Sequence, residues 1–200
     1  ILLVIPEDQR IKHDILVSPK DVGNATPGKV VTVEIIEQPT RHSQPIGKVA
    51  EVLGELDDPG MEIEIAVRKF DVPHEFNLLT MNQAESIPND VEYKDLKGRV
   101  DLRDVPFVTI DGEDARDFDD AVYCTPSNDT KGGWRLLVAI ADVSHYVLPG
   151  TPIDQEATKR GTSVYFPRRV IPMLPEKLSN GLCSLNPGVD RLVLVCDMII

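Results

Sequence analysis

The chain has 200 residues, 42% of them hydrophobic, and carries 33 acidic against 21 basic side chains for a formal net charge of −12. That length holds one large or two small domains with a packed core, and the charge argues against a generally basic nucleic-acid-binding surface. No apolar run reaches the roughly 18 residues of a membrane-spanning helix, and the opening Ile1-Leu2-Leu3-Val4, with no basic n-region, does not read as a signal peptide.

Residues 1–75 read as five strands: Ile1–Ile5, Asp14–Val17, Lys29–Ile36, Ile46–Leu53 and Met61–Phe70. Val and Ile are frequent, and Ile63, Ile65 and Val67 alternate in the last strand. Pro6-Glu7-Asp8, Pro19 to Gly28, Pro39 to Pro45 and Asp57-Asp58-Pro59-Gly60 supply turn chemistry between them. Five short strands in this length suggest a small closed barrel of the OB type. Residues 76–104 read as a connector, with a short helix near Asn77 to Glu85 and a stop at Gly98. Cys124, Cys183 and Cys196 form no CxxC pair, so zinc and redox readings fall behind buried structural thiols and a reducing compartment.

Residues 105–200 begin with an expected strand from Pro106 to Ile110 that delivers the most informative stretch of the chain. From Asp111 to Asp120, six acidic side chains and one arginine occupy ten residues. Such density is unfavourable unless water or cations compensate it. Hard divalent cations take carboxylate oxygens, and two of them about 4 Å apart can clamp a phosphoryl group during in-line displacement. The alternative is a solvated acidic loop. In one regular strand Asp117 and Asp119 would share a face and Asp120 would point away. Asp111, Asp117, Asp119 and Asp120 therefore converge only if the chain turns before Asp120 and the strand starts at Ala121. Glu113 and Asp114 are expected in solvent.

Trp134 to Ile140 reads as a strand, with Ala141 to Val147 continuing it or turning into a partner. Asp142 is expected as a buried structural acid or a supporting acid near the site, and His145 as a packing or hydrogen-bonding side chain. Thr151-Pro152-Ile153-Asp154 starts a helix that Gly161 ends. Tyr165-Phe166 before Pro167 and Arg168-Arg169 reads as core plus surface, or as a base-stacking residue beside phosphate contacts. The segment from Pro172 enters a short helix that stops near Gly181; Ser179 is expected to cap or hydrogen-bond. Arg191 to Ile200 is a final strand, with Asp190 and Arg191 on the surface.

The blocks TIDGEDARDFDDAVY, WRLLVAIADVSHYV, GTSVYFP and IPMLPEKLSNGLCSLNP, preceded by DLRD, strongly resemble the catalytic RNB domain of the RNase II/RNase R exoribonuclease family, in particular its ribonuclease R branch. They cover roughly Gly98 to Ile200 in the family's order. The resemblance implies an all-β OB-fold (cold-shock) barrel followed by the first part of an α+β RNB catalytic domain, truncated at residue 200. It implies processive 3′-to-5′ hydrolysis of single-stranded RNA ends to 5′-nucleoside monophosphates, with Mg²⁺ or Mn²⁺. Asp111, Asp117, Asp119 and Asp120 fall on the family's catalytic, metal-holding aspartates, and Tyr165 on its nucleotide-stacking tyrosine. Arg168 beside it, and Arg41 in the polar loop of the barrel, are the further candidate RNA contacts.

Both ends of the chain read as cuts through a longer, cytoplasmic protein with no membrane or obligate protein partner. The family's later arginine and glutamate contributors and its S1 domain have no counterpart here, so the fragment alone is expected to be weak or inactive. The rival from another class is a noncatalytic RNA-binding adaptor built on the OB-fold, marked by loss of a motif aspartate; a calcium-stabilised structural module is the third reading. All of the motif aspartates are present.

Overall fold

The computed structural model describes residues 1–113, 115–127 and 132–200. It divides into two compact units, Ile1–Val72 and Pro73–Ile200. None of the helices among the described residues is long and apolar enough to cross a membrane.

The N-terminal unit contains four strands, β1 (Leu2–Val4), β2 (Ile15–Val17), β3 (Lys29–Glu37) and β4 (Ile46–Glu55), and one helix, α1 (Met61–Lys69). The sheet order is β1-β2-β4-β3. β1 runs antiparallel to β2, β2 parallel to β4, and β3 antiparallel to β4 with register shifts along the pair. Val17, Ile15, Met61 and Val67 are buried. Gly47 permits the crowded crossing of these strands: a Cβ there would collide with the side chains of Val33 and Ile15.

The expected closed five-strand barrel is corrected here. Among the described residues the sheet has four strands and does not close, and Met61–Lys69 is helical. Alternation at 61, 63, 65 and 67 also fills the i,i+4 pairs Met61–Ile65 and Ile63–Val67, so a short run of this kind is compatible with both periods. Charge and turn chemistry decide for the helix. Gly60 enters it at φ 87°, Glu62 and Glu64 occupy its first turn, and Arg68 and Lys69 its last. Glu64 pairs with Arg68 one turn on, and Arg68 also binds Glu51 of β4 at 2.7 Å.

The C-terminal unit begins with α2 (Leu78–Ser86), near the expected short helix; Asn77 caps it, accepting from the Thr80 amide at 2.9 Å. β5 (Asp120–Pro126) and β6 (Trp134–Ala141) form an antiparallel hairpin. A short helix, α3 (Val143–Tyr146), follows, then α4 (Pro152–Arg160), the hairpin β7 (Val164–Phe166) and β8 (Arg169–Ile171), and β9 (Val193–Ile199). β9 returns to the free edge of β6, giving the order β5-β6-β9.

α4 begins and ends where Pro152 and Gly161 place it, the latter at φ 75°. The Thr151 hydroxyl donates to Leu148 O instead of capping, and Asp154 accepts from the Gly150 amide. Ile153 and Ala157 of α4 join Ala84, Ala141, Leu174, Leu178, Leu182 and Cys183 in one core. Arg160 closes it. Its side chain is only 2% exposed, pairs with Glu156, donates to the carbonyls of Pro73, Glu75 and Pro172, and lies 3.7 Å from the Phe76 ring centroid.

Other expectations are revised. Between Pro106 and Ile110 only Val108 bridges, to Val122, so the segment delivering Asp111 is a single anchor point. β6 ends at Ala141 because Asp142 turns the chain into α3. Cys183 is buried, but Cys124 and Cys196 are exposed, since they lie on the sheet face shared with exposed Ile140 and Leu194. Arg191 is not a surface charge: its Nε donates to the carbonyls of Gly181 and Ser184, both at 2.9 Å.

Candidate active site

The acidic stretch is a loop held at its ends. Val108 and Val122 exchange backbone hydrogen bonds of 3.0 and 2.8 Å just before Asp111. From Ala115 to Asp119 the chain is irregular, and β5 begins at Asp120, opposite Ile140. The strand thus starts one residue before the expected Ala121, with Asp120 on it and Asp117 and Asp119 on the irregular segment before it.

The loop backbone is gripped from behind. Ser184 Oγ donates to Arg116 O at 2.7 Å and accepts from the Phe118 amide at 3.1 Å. The Leu185 amide donates to Phe118 O, and the Ala141 amide to Asp119 O, each at 2.9 Å. Asp117 and Asp119 thus flank a clamped Phe118. Asp111, Asp119 and Asp120 are exposed and Asp117 is half-buried. Glu113 is exposed as expected, whereas Asp114 and residues 128–131 lie outside the described residues.

Partial burial pushes the Asp119 carboxyl above its ordinary value, and the fields of Asp117, Asp120 and Asp111 push it in the same direction. The Tyr165 phenol donates to Asp117 Oδ2. That bond, burial, and the charges of Asp117 and Asp119 push the phenol up to about 12. Burial chiefly, with Asp119 and Asp142 adding to it, raises the Cys183 thiol to about 12, so it stays protonated and inert.

An all-carboxylate donor set with mutual repulsion fits a hard divalent cation. Among the described residues no three His, Cys, Asp or Glu side chains form a group that could hold a metal ion. A groove of about 640 Å³ in this unit runs along Val100, Phe107, Leu185 and Leu192 and is lined by none of the four aspartates.

Asp142 is the opposite kind of acid. It is 5% exposed, and burial alone would raise its carboxyl. Donation from Ser144 Oγ and from the Arg99 guanidinium, each at 2.7 Å, outweighs that and holds it below the ordinary value. His145 lies 3.2 Å from Asp95 and packs edge-on against Tyr146. Both residues take the structural role.

Of the other sequence candidates, Tyr165 is joined to the acidic rim through Asp117, with 62% of its surface exposed. Arg168 is exposed in the two-residue turn of the β7–β8 hairpin that carries Tyr165. Arg41 belongs to the N-terminal unit, on an exposed turn closed by the Thr40 amide and Ser43 O. Sequence reasoning weighed Ser179 and passed over Ser184. The available signal was a serine between Cys183 and Leu185 in an apolar run, because a buried hydroxyl needs partners.

A family profile for the RNB domain matches residues 99–200, and one for the cold shock domain matches residues 3–77. Ribonuclease R of Escherichia coli (strain K12) is 55% identical over 195 residues, covering 98% of this chain and 24% of that protein. Ribonuclease R of Vibrio cholerae is 57% identical over 196 residues with the same coverage. Among solved structures, Mycoplasma genitalium RNase R in complex with double-stranded RNA superposes with a TM-score of 0.87 at 34% identity, covering 98% of this chain and 36% of that one. The chain thus spans about a quarter of the length of the curated relatives it matches. With half of its residues matched by that profile, and its acidic rim inside the matched half, the chain belongs to the RNB domain family.

Proposed function

We propose that this chain supplies the cold-shock segment (1–75), a connector (76–104) and the acidic, metal-holding part of the catalytic domain (105–200) of a processive 3′-to-5′ exoribonuclease. The observation that carries the reading is the hydrogen bond from Tyr165 to Asp117 beside Asp119, whose carboxyl feels the charges of Asp117, Asp120 and Asp111. The family's activity then extends to this chain as hydrolysis of RNA to 5′-nucleoside monophosphates in a cytoplasmic setting.

In this reading Asp111, Asp117, Asp119 and Asp120 hold Mg²⁺ or Mn²⁺ directly or through water. When bound, such ions supply charge stabilisation at the scissile phosphate and a more acidic water. Substrate oxygens and retained waters would complete the coordination shell. Tyr165 stacks on the nucleotide at the single-stranded 3′ end, its phenol anchored by Asp117. Arg168, on the same hairpin, meets a phosphate. Arg41 offers a phosphate contact on the cold-shock segment, where the OB-type role is to guide RNA. The rest of the RNA channel lies in parts of the relatives that this chain does not span.

The test uses the intact protein, RNA with a single-stranded 3′ overhang labelled at its 5′ end, and added Mg²⁺ or Mn²⁺. Stepwise shortening from the 3′ end is expected, with its loss in Asp120→Asn at unchanged thermal stability. RNA binding without cleavage under either metal would replace this reading with a noncatalytic RNA-binding adaptor.

A further inference from the structure

The Ser184 hydroxyl bonds to no carboxylate; both of its partners are backbone groups of the loop that carries the site. Ser184 is fully buried, at 0% exposure. Its single hydroxyl spans Asp117, donating to the carbonyl before it and accepting from the amide after it, at 2.7 and 3.1 Å. The next residue adds a third bond, from the Leu185 amide to Phe118 O. Ser184 is itself held from the other side, since Arg191 Nε donates to its carbonyl. Residues 115–119 have no strand pairing of their own, and repulsion among Asp111, Asp117, Asp119 and Asp120 works to spread them.

We propose that Ser184 is a positioning residue that sets the backbone of Asp117 and Phe118, so that Asp117 and Asp119 face one cation position before metal arrives. The inference rests on the metal-dependent reading above. A side chain that orients metal ligands from behind commonly alters metal affinity or activity by about 10- to 100-fold when it is replaced. A serine serving only the core would change stability and leave the metal requirement untouched.

The experiment compares intact wild-type protein with Ser184→Ala, Ser184→Cys and the control Asp120→Asn. Three quantities are read: Mn²⁺ binding without RNA, followed by the EPR signal of free Mn²⁺; the Mn²⁺ concentration for half-maximal hydrolysis; and KM for RNA. In Ser184→Ala the Mn²⁺ requirement and the direct Mn²⁺ dissociation constant should both rise about tenfold or more. KM for RNA should stay within about twofold, the mark of an effect on the metal site and not on substrate binding. Ser184→Cys, nearly isosteric with a weaker donor, should fall between. Wild-type Mn²⁺ binding and half-saturation in Ser184→Ala would overturn the proposal, while inactivity of Asp120→Asn in the same set would leave the exoribonuclease reading standing. Loss of the folded state in both Ser184 variants would also overturn it, assigning the residue to the core. Were wild-type protein itself unable to cleave RNA, the exoribonuclease reading would fail, and the EPR measurement would still decide the role of Ser184.

Discussion

Two acidic regions of the C-terminal unit use the same side chain to opposite ends. Asp142 is buried, and the protein surrounds it with donors of its own: Arg99, Ser144 and the His145 amide hold its carboxyl below the ordinary value. Asp119 lies among like charges, and partial burial together with the fields of Asp117, Asp120 and Asp111 pushes its carboxyl above the ordinary value. A carboxylate that the fold itself compensates serves stability. A cluster of like charges, on a loop braced by three bonds from Ser184 and Leu185, suits the metal-holding role proposed above.

The sharpest test of that contrast is to exchange charge for amide on each side. Asp119→Asn is expected to cut kcat for RNA hydrolysis by about a thousandfold, since metal-based charge stabilisation is worth several kcal/mol. Asp142→Asn should leave the Mn²⁺ requirement unchanged; a raised requirement there would merge the two regions into one site. Next in size, Arg99→Ala strands the Asp142 charge in the interior and should cost about 3 kcal/mol in urea unfolding. The pH dependence has a definite sign. Because the folded value of Asp142 is depressed, its contribution is present above the unfolded value of about 3.9 and is lost as pH falls through the folded one. Arg99→Ala should therefore flatten the acid limb of the stability profile below about pH 4.

The smallest effect is the most diagnostic. The folded value of Asp119 is raised, so its ionised form costs stability, and that cost appears as pH rises through the carboxylate range. In EDTA at neutral pH, Asp119→Asn should unfold at a slightly higher temperature than wild type. Adding Mg²⁺ should stabilise wild type and leave the variant nearly unmoved, as binding to the folded state alone requires. A variant less stable than wild type in EDTA would show that the acidic rim is compensated after all.

Much of this was legible in the chain because it is local. Asn77 before Leu78 marks a helix cap, Pro152 and Gly161 bracket α4, and the acidic run announces itself by density alone. The break before Asp120 followed from strand geometry applied to the spacing of Asp117, Asp119 and Asp120. The misreadings share a different cause. Met61–Lys69 carries a pattern that both a strand and a helix satisfy, and its Arg68 contact to Glu51 spans 17 positions of sequence. Cys124 and Cys196 sit in apolar surroundings, and only the pairing of β5, β6 and β9 puts them on an exposed face.

By itself, then, the sequence determined the residue types at the acidic rim, their spacing, the boundaries of α4 and the resemblance that names the family. The tertiary structure alone decided which carboxylates are answered and which are not. Arg99 reaches Asp142 across 43 positions, Ser184 reaches Arg116 across 68, and Arg160 reaches Pro73 across 87. Hydrogen bonds and ion pairs act over a few ångströms. Whether a charge is buried with a partner or left open for an ion therefore depends on which distant segments the fold brings within that range.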